Sequence, residues 1–266
     1  MTSPDLGRGV LHPGQAAAAI TLTRHGPDPQ LARFVEFYWL VRWHRDGLPA
    51  YEQKVLAHPN VHLAFEAPSA LVYGVSRSLF VRRLEGTGHV LGVKFRPGGF
   101  RPFTDRPVAD LADRSVPAAE VFGSGTDLLN DEVLRSVGDP AAIASRVNSF
   151  LLTRVPEPDP VAEQVAAMVE RITGSPDLRR VDQVAEEFGI TVRRLQRLFA
   201  EYVGAAPKWV LRRARLHEAA ERADQGTDID WAALAADLGY ADQAHFTRDF
   251  TSTVGTSPVR YASGQP

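Results

Sequence analysis

Two short segments of this 266-residue chain carry hydrogen-bonding side chains at the spacing of one helix face. In "GITVRRLQRLF", residues 189–199, a helical projection of about 100° per residue gathers Leu195, Leu198, Phe199 and the following Tyr202 within roughly one third of the circumference. Arg193, Gln196 and Arg197 fall on the opposite arc, with Arg194 at its edge. In "GYADQAHFTRDF", residues 239–250, Phe246, Phe250 and the later Val254 turn inward and leave Ala244, His245 and Arg248 outward, flanked by Thr247 and Thr251. Such a set can read nucleic-acid bases. An arginine fork matches the two major-groove acceptors of guanine, a glutamine amide matches the acceptor and donor of adenine, and an alanine can touch a thymine methyl. A single arginine-bearing face is more often just a solvated surface. Two of them on related segments reverse that preference.

The segments belong to an internal repeat. "AEEFGI" at 185–190 matches "AADLGY" at 235–240 with an offset of 50, while "LQRLF" at 195–199 matches "FTRDF" at 246–250 and "VGAAP" at 203–207 matches "VGTSP" at 254–258 with an offset of 51. Each copy reads as a short amphipathic helix, a glycine exit and a second helix, which is the helix-turn-helix shape. Gly189 and Gly239 stand where the chain must leave the first helix in a left-handed conformation. Thr191 can cap the second helix of the first copy. Its counterpart Ala241 cannot, which passes the role to Asp242 and predicts a looser start for that helix.

The remaining chain must position these helices. Its length and 44% apolar content suit two ordinary domains. Thirty basic and 32 acidic residues give a net charge of −2, so a nucleic-acid site must be local. Residues 178–222 hold ten basic and six acidic residues, whereas 224–266 hold two basic and six acidic ones, so phosphate attraction should come mainly from the first unit. The absence of cysteine excludes disulfides, thiolate metal sites and cysteine nucleophiles. No targeting segment or long apolar run is present, and a soluble, cytoplasmic protein is expected.

Residues 1 to about 30, rich in Pro, Gly and Ala, read as a loose arm. Strand-like runs follow, and Val61, Leu63 and Phe65 alternate with His62, Ala64 and Glu66 as in a strand buried on one face. Ile143, Val147, Phe150 and Leu151 mark a helix, and "VPEPDPV" at 155–161 a stiff connector. The expected fold class is α+β, with residues 1–153 a mostly β domain with trailing helices and residues 160–262 all helical. Gly98-Gly99 marks a turn rather than a phosphate cradle, and His58 and His62 lack a third metal ligand at a sensible spacing. No cofactor, metal or catalytic residue is expected. The aromatic cluster reads first as core, and Trp39, Trp43, His62 and Glu66 are the candidate lining of an effector cavity.

The C-terminal part resembles the AraC/XylS family of bacterial transcription regulators over about residues 160–262, most closely in "LAADLGYADQAHFTRDFTSTVGTSPVRYAS". The resemblance implies two helix-turn-helix units joined by a long helix at about residues 207–223, with recognition helices entering successive major grooves about 34 Å apart. It assigns base reading to Arg193, Gln196, Arg197, Ala244, His245 and Arg248, and phosphate contact to Thr191, Arg194, Lys208 and Thr247. Proteins that look like this usually carry an N-terminal domain for effector binding, dimerisation or both, so double-stranded DNA, a small-molecule effector, a homodimer partner and, for an activator, RNA polymerase are the implied partners, with no membrane. Two rivals differ in class: a small β-barrel enzyme tethered to a DNA-binding module, against which stands the lack of a Gly-x-Ser-x-Gly, His-Glu-x-x-His or P-loop signature, and a helical adaptor with no DNA role.

Overall fold

β-Branched and aromatic residues at every second position, cut by Gly, Pro and Asp, dictate strands up to about residue 117, and longer 3.6-period runs dictate helices beyond it. The computed structural model describes residues 6–136, 138–175, 177–225 and 229–264. In chain order they form α1 (Pro13–Ala19), β1 (Thr21–His25), β2 (Val35–Arg45), β3 (Tyr51–Leu56), β4 (His62–Phe65), β5 (Leu71–Tyr73), β6 (Leu79–Leu84), β7 (Gly86–Phe95) and β8 (Ser115–Pro117). The helices α2 (Ala119–Phe122), α3 (Gly125–Arg135), α4 (Pro140–Leu152), α5 (Pro160–Gly174), α6 (Val181–Glu187) and α7 (Val192–Tyr202) follow. The chain ends with α8 (Pro207–Gln225), α9 (Trp231–Asp237), α10 (Gln243–Val254) and α11 (Pro258–Ala262). The architecture is α+β, a β-rich N-terminal half followed by a helical C-terminal half.

Six strands form one antiparallel sheet in the order β1-β2-β7-β4-β5-β8, and β3 pairs with β6 in a second. The register sets Tyr38 and Leu63 on either side of Val93, and Leu40 and Phe65 on either side of Leu91. These residues point to one face and join Val133, Ile143, Val147 and Leu151 of α3 and α4 in a single buried core. Each such side chain removed from water contributes about 1.5–3 kcal/mol. On the opposite face Trp39 lies across Gly92, where any Cβ would sit 2.0 Å from the indole. That strand position admits only glycine.

Two expectations need correction. Strand β4 is not buried on one face alone, since Ala64 and Glu66 are as inaccessible as Leu63 and Phe65. Strand β6 covers that side, placing Phe80 edge-on to Tyr73 and Arg82 on Glu66. The N-terminal segment is no loose arm from residue 6 onward. It contains α1 and β1, and Leu6, Leu11, Ala16 and Ile20 are buried. These apolar residues show no period because their partners are distant in sequence: Leu11 packs with Leu56, Leu216 and Tyr261. Residues 1–5 lie outside the described residues.

The helical half has two cores. One joins α5, α6 and α7 to Val210 and Leu211 at the start of α8, and the other joins Leu216, Ala219, Ala220 and Ala223 of the same helix to α9, α10 and α11. Helix α8 therefore belongs to both units. The N-terminal half is seated against it: Arg8 pairs with Glu218 at 2.7 Å and Glu221 at 2.8 Å, and Arg213 donates to the carbonyl of Arg77 at 2.7 Å. Arg101 reaches Glu201 of α7 at 2.7 Å.

Candidate nucleic-acid interface

The two helix-turn-helix units repeat down to their backbone hydrogen bonds. Gly189 N–H donates to Glu186 at 3.0 Å and Ile190 N–H to Ala185 at 2.9 Å; Gly239 N–H donates to Ala236 and Tyr240 N–H to Ala235, both at 2.9 Å. This is the Schellman closure, which satisfies the last carbonyls of a helix and requires a left-handed residue. Gly189 has φ +62° and Gly239 φ +74°.

The following helices start on side-chain caps. Thr191 Oγ1 accepts the amide of Arg194 at 3.2 Å, and Asp242 Oδ1 accepts that of His245 at 2.6 Å. The start of α10 is therefore held, contrary to the loosening expected from Ala241, because an acid one position later supplies the acceptor. Leu195 and Phe199 of α7, and Phe246, Phe250 and Val254 of α10, are buried. Arg193, Arg194, Gln196 and Arg197 are exposed, as are Ala244, His245, Arg248 and Thr251, while Thr247 is half-buried. Lys208, in the first turn of α8, is exposed. His245 stands edge-on to Tyr240, at 5.3 Å between ring centres.

Electrostatics distinguish the outward arginines from their neighbours. Arg171, Arg212 and Arg222 each pair with a carboxylate. Arg193, Arg194, Arg197 and Arg248 pair with none among the described residues. Arg193 and Arg194 also occupy the first turn of α7, the positive end of the helix dipole, where cations are unfavourable and an anion would be welcome. Asp249 of the second unit is engaged inward, bonded to Arg212 and accepting from Tyr240 at 2.7 Å.

One repeated element was missed in the sequence. Arg171 of α5 pairs with Glu187 at the end of α6 at 2.5 Å, and Arg222 of α8 pairs with Asp237 at the end of α9 at 3.3 Å. The helix preceding each unit thus braces its first helix. The readable signal was "ER" at 170–171 and again at 221–222, with the repeat's own offset of 51. Both arginines are partly exposed, so solvent screens each pair and its contribution is small.

The structure does not gather the four candidate effector residues around one cavity. Trp39 donates its indole N–H to His62 Nδ1 at 3.2 Å, and burial drives His62 down to about 3. Glu66 is buried, paired with Arg82 at 2.6 Å and accepting from the Tyr73 hydroxyl. Trp43 donates to the carbonyl of Glu85 at 3.0 Å and lines a cleft of about 800 Å³ together with Arg42, Arg82 and His89. A second cleft, of about 500 Å³, lies between the β-rich half and α5, lined by Arg24, Phe37, Lys94, Arg96 and Val169. The difference arises because Trp39 and Trp43 are four residues apart on a strand that crosses the sheet, so each meets different neighbours. His58, for its part, is stacked on His217 and bonded to the carbonyl of Arg8. Gly98 and Gly99 form a turn against the backbone of Ala162 and Phe34.

Comparison with known proteins divides the chain similarly. A family described as a helix-turn-helix domain matches residues 184–264, and a domain of unknown function (DUF6597) matches residues 23–117. The "Probable transcription factor PqrA" of Proteus vulgaris is 32% identical over 82 residues, 31% of this chain and 66% of that protein. The transcriptional activator NphR of a Rhodococcus species is 28% identical over 218 residues, 79% of this chain and 56% of that protein. The chain therefore spans less than two thirds of either curated relative. Among solved structures, ToxT from Vibrio cholerae aligns with 92% of this chain and 98% of its own at 11% identity and a TM-score of 0.39. The turns, caps and outer faces of the paired helical units thus fall within a helix-turn-helix family match at residues 184–264, and the chain is similar in sequence to these transcription regulators.

Proposed function

We propose that this protein is a sequence-specific DNA-binding transcriptional regulator that inserts α7 and α10 into successive major grooves on one side of a duplex. The observation that carries this reading is the pair of capped, repeat-related helices whose outward Arg193, Arg194, Arg197 and Arg248 have no carboxylate partner among the described residues. Arg193, Gln196 and Arg197 read bases from α7, and Ala244, His245 and Arg248 from α10. Thr191, Arg194, Lys208 and Thr247 hold phosphates. The Thr191 hydroxyl can do so while capping, since its oxygen accepts the amide and its proton is left to donate.

Residues 160–262 form the DNA-binding domain of this proposal and residues 1–153 the controlling domain. An effector bound in the N-terminal half, pairing with a second copy, and contact with RNA polymerase when the bound site lies beside a promoter belong to the same reading. The two clefts are the sites to search for the effector, and the Arg-rich lining of the smaller one suits an anionic compound. No helix among the described residues is long and apolar enough to cross a membrane.

In vitro selection from random duplex DNA tests the function. Recovery of two sequence blocks about one helical turn apart is the expected result. Sequence-independent retention, or none, would sink the proposal.

A further inference from the structure

We propose that Arg179 sets the spacing and angle between the two recognition helices and thereby decides which separation of DNA blocks the protein accepts; this rests on the DNA-binding reading above. The two units have separate cores joined through α8, a helix of 19 residues, and the β-rich half touches each at its own place, through Leu11 and Leu56 in the second and Val75 in the first. A single helix of that length can bend. A cross-brace would restrict it.

Arg179 provides one. It precedes α6, and its backbone N–H donates to Gln183 Oε1 at 3.1 Å, which fastens it to the first unit. Its guanidinium Nη2 donates to the backbone carbonyl of Asp237 at 2.9 Å, the last residue of α9 in the second unit. That carbonyl lies at the negative end of a helix and has no partner within the helix, which makes a cation favourable there. The stem of Arg179 also covers the turn of the second unit, since a Cβ on Gly239 would stand 2.6 Å from its Cδ. No atom lies within 4 Å of the equivalent position on Gly189. The two turns, alike in their backbone bonds, therefore differ in one respect: the second is overlaid by a side chain from the first unit. The carboxylate of Asp237 meanwhile holds Arg222 of α8 at 3.3 Å. Asp237 is thus tied both to the other unit and to the linking helix.

The consequence concerns geometry on DNA. One base pair added between two blocks displaces the second by about 3.4 Å and turns it by about a tenth of a revolution. A braced pair of helices cannot follow both movements, whereas an unbraced pair partly can.

The test uses the full chain and a two-block duplex recovered by selection with the wild-type protein, together with versions one base pair longer and shorter between blocks. The wild type should lose about tenfold or more in affinity at either altered spacing. Arg179→Ala should bind all three duplexes within about threefold of one another. Arg179→Met, which keeps an apolar stem over Gly239 but removes the donor, should behave like the alanine variant and guards against a loss of folding. Arg179→Lys, with one donor able to reach the same carbonyl, should restore most of the discrimination. Equal losses at every spacing in the Ala and Met variants, or an unchanged spacing profile, would overturn the assignment and leave DNA binding intact. A lysine variant as tolerant as alanine would overturn the role given to the carbonyl bond. Failure of the wild type to select any duplex would instead overturn the DNA-binding reading, and this assignment with it.

Discussion

The imidazole rings of His58 and His217 lie face to face, with centroids 4.0 Å apart and planes 11° from parallel. The first belongs to the β-rich half and the second to the middle of α8, so the stack crosses the seam between the halves. Burial is the main reason that neither is charged, holding His58 down to about 4 and His217 well below its ordinary value; the charges of Lys94 and Arg213 add to the effect on His58, and those of His58 and Arg213 to the effect on His217.

These histidines make stability depend on pH. A group with a depressed folded-state pKa takes up protons first in the unfolded chain, so stability is complete above about 6.5 and declines as pH falls toward about 4. His62, lowered to about 3 by burial, acts in the same direction. Asp224, raised by burial to about 6, opposes them. Three groups outweigh one, and the melting temperature should fall steadily between about pH 6.5 and 4.5. His217→Phe should flatten that slope. A melting temperature that rises over this interval would contradict the stacking account.

Removal of outward arginines should have unequal effects. The first unit carries the excess of basic residues and the second the excess of acidic ones. Arg197→Ala is expected to abolish specific DNA binding and Arg248→Ala only to weaken it, each lost bidentate contact being worth about 1–3 kcal/mol of discrimination. A gel-shift series at several salt concentrations measures this. Equal losses would show that the charge asymmetry does not govern affinity.

Asp242→Ala removes the cap of α10 and should cost about 1 kcal/mol. Amide exchange at His245 should accelerate, since its N–H loses its acceptor. An unaltered exchange rate would mean that the cap contributes nothing to the start of the helix.

Gly92→Ala drives a methyl group into the Trp39 indole, which is itself held by His62. The displacement should cost about 1–3 kcal/mol in chemical denaturation. Gly47→Ala, at an open turn, is a poor control because its φ is +75°, whereas Gly14→Ala meets no atom within 4 Å and should be nearly neutral.

Features set by neighbours in sequence were legible beforehand. Gly189 and Gly239, the Thr191 and Asp242 caps and the outer arcs of α7 and α10 depend only on backbone handedness, a side-chain acceptor three residues away and a 3.6-residue period. The paired "ER" braces were equally local to the repeat, yet they escaped notice because glutamate and arginine side by side read as solvent-facing.

The sequence alone therefore determined the duplicated helix-turn-helix and the side chains it turns outward, because short-range sterics and helical periodicity suffice for that. Tertiary structure decided what depends on contacts between distant residues: that β4 is covered on both sides, that Leu11 anchors the N-terminal segment in the second helical core, that Trp39 and His62 satisfy each other, and that Arg179 reaches across to Asp237. Such pairings carry no periodic signal. They are selected only when the folded chain excludes water and each buried polar group must find a partner.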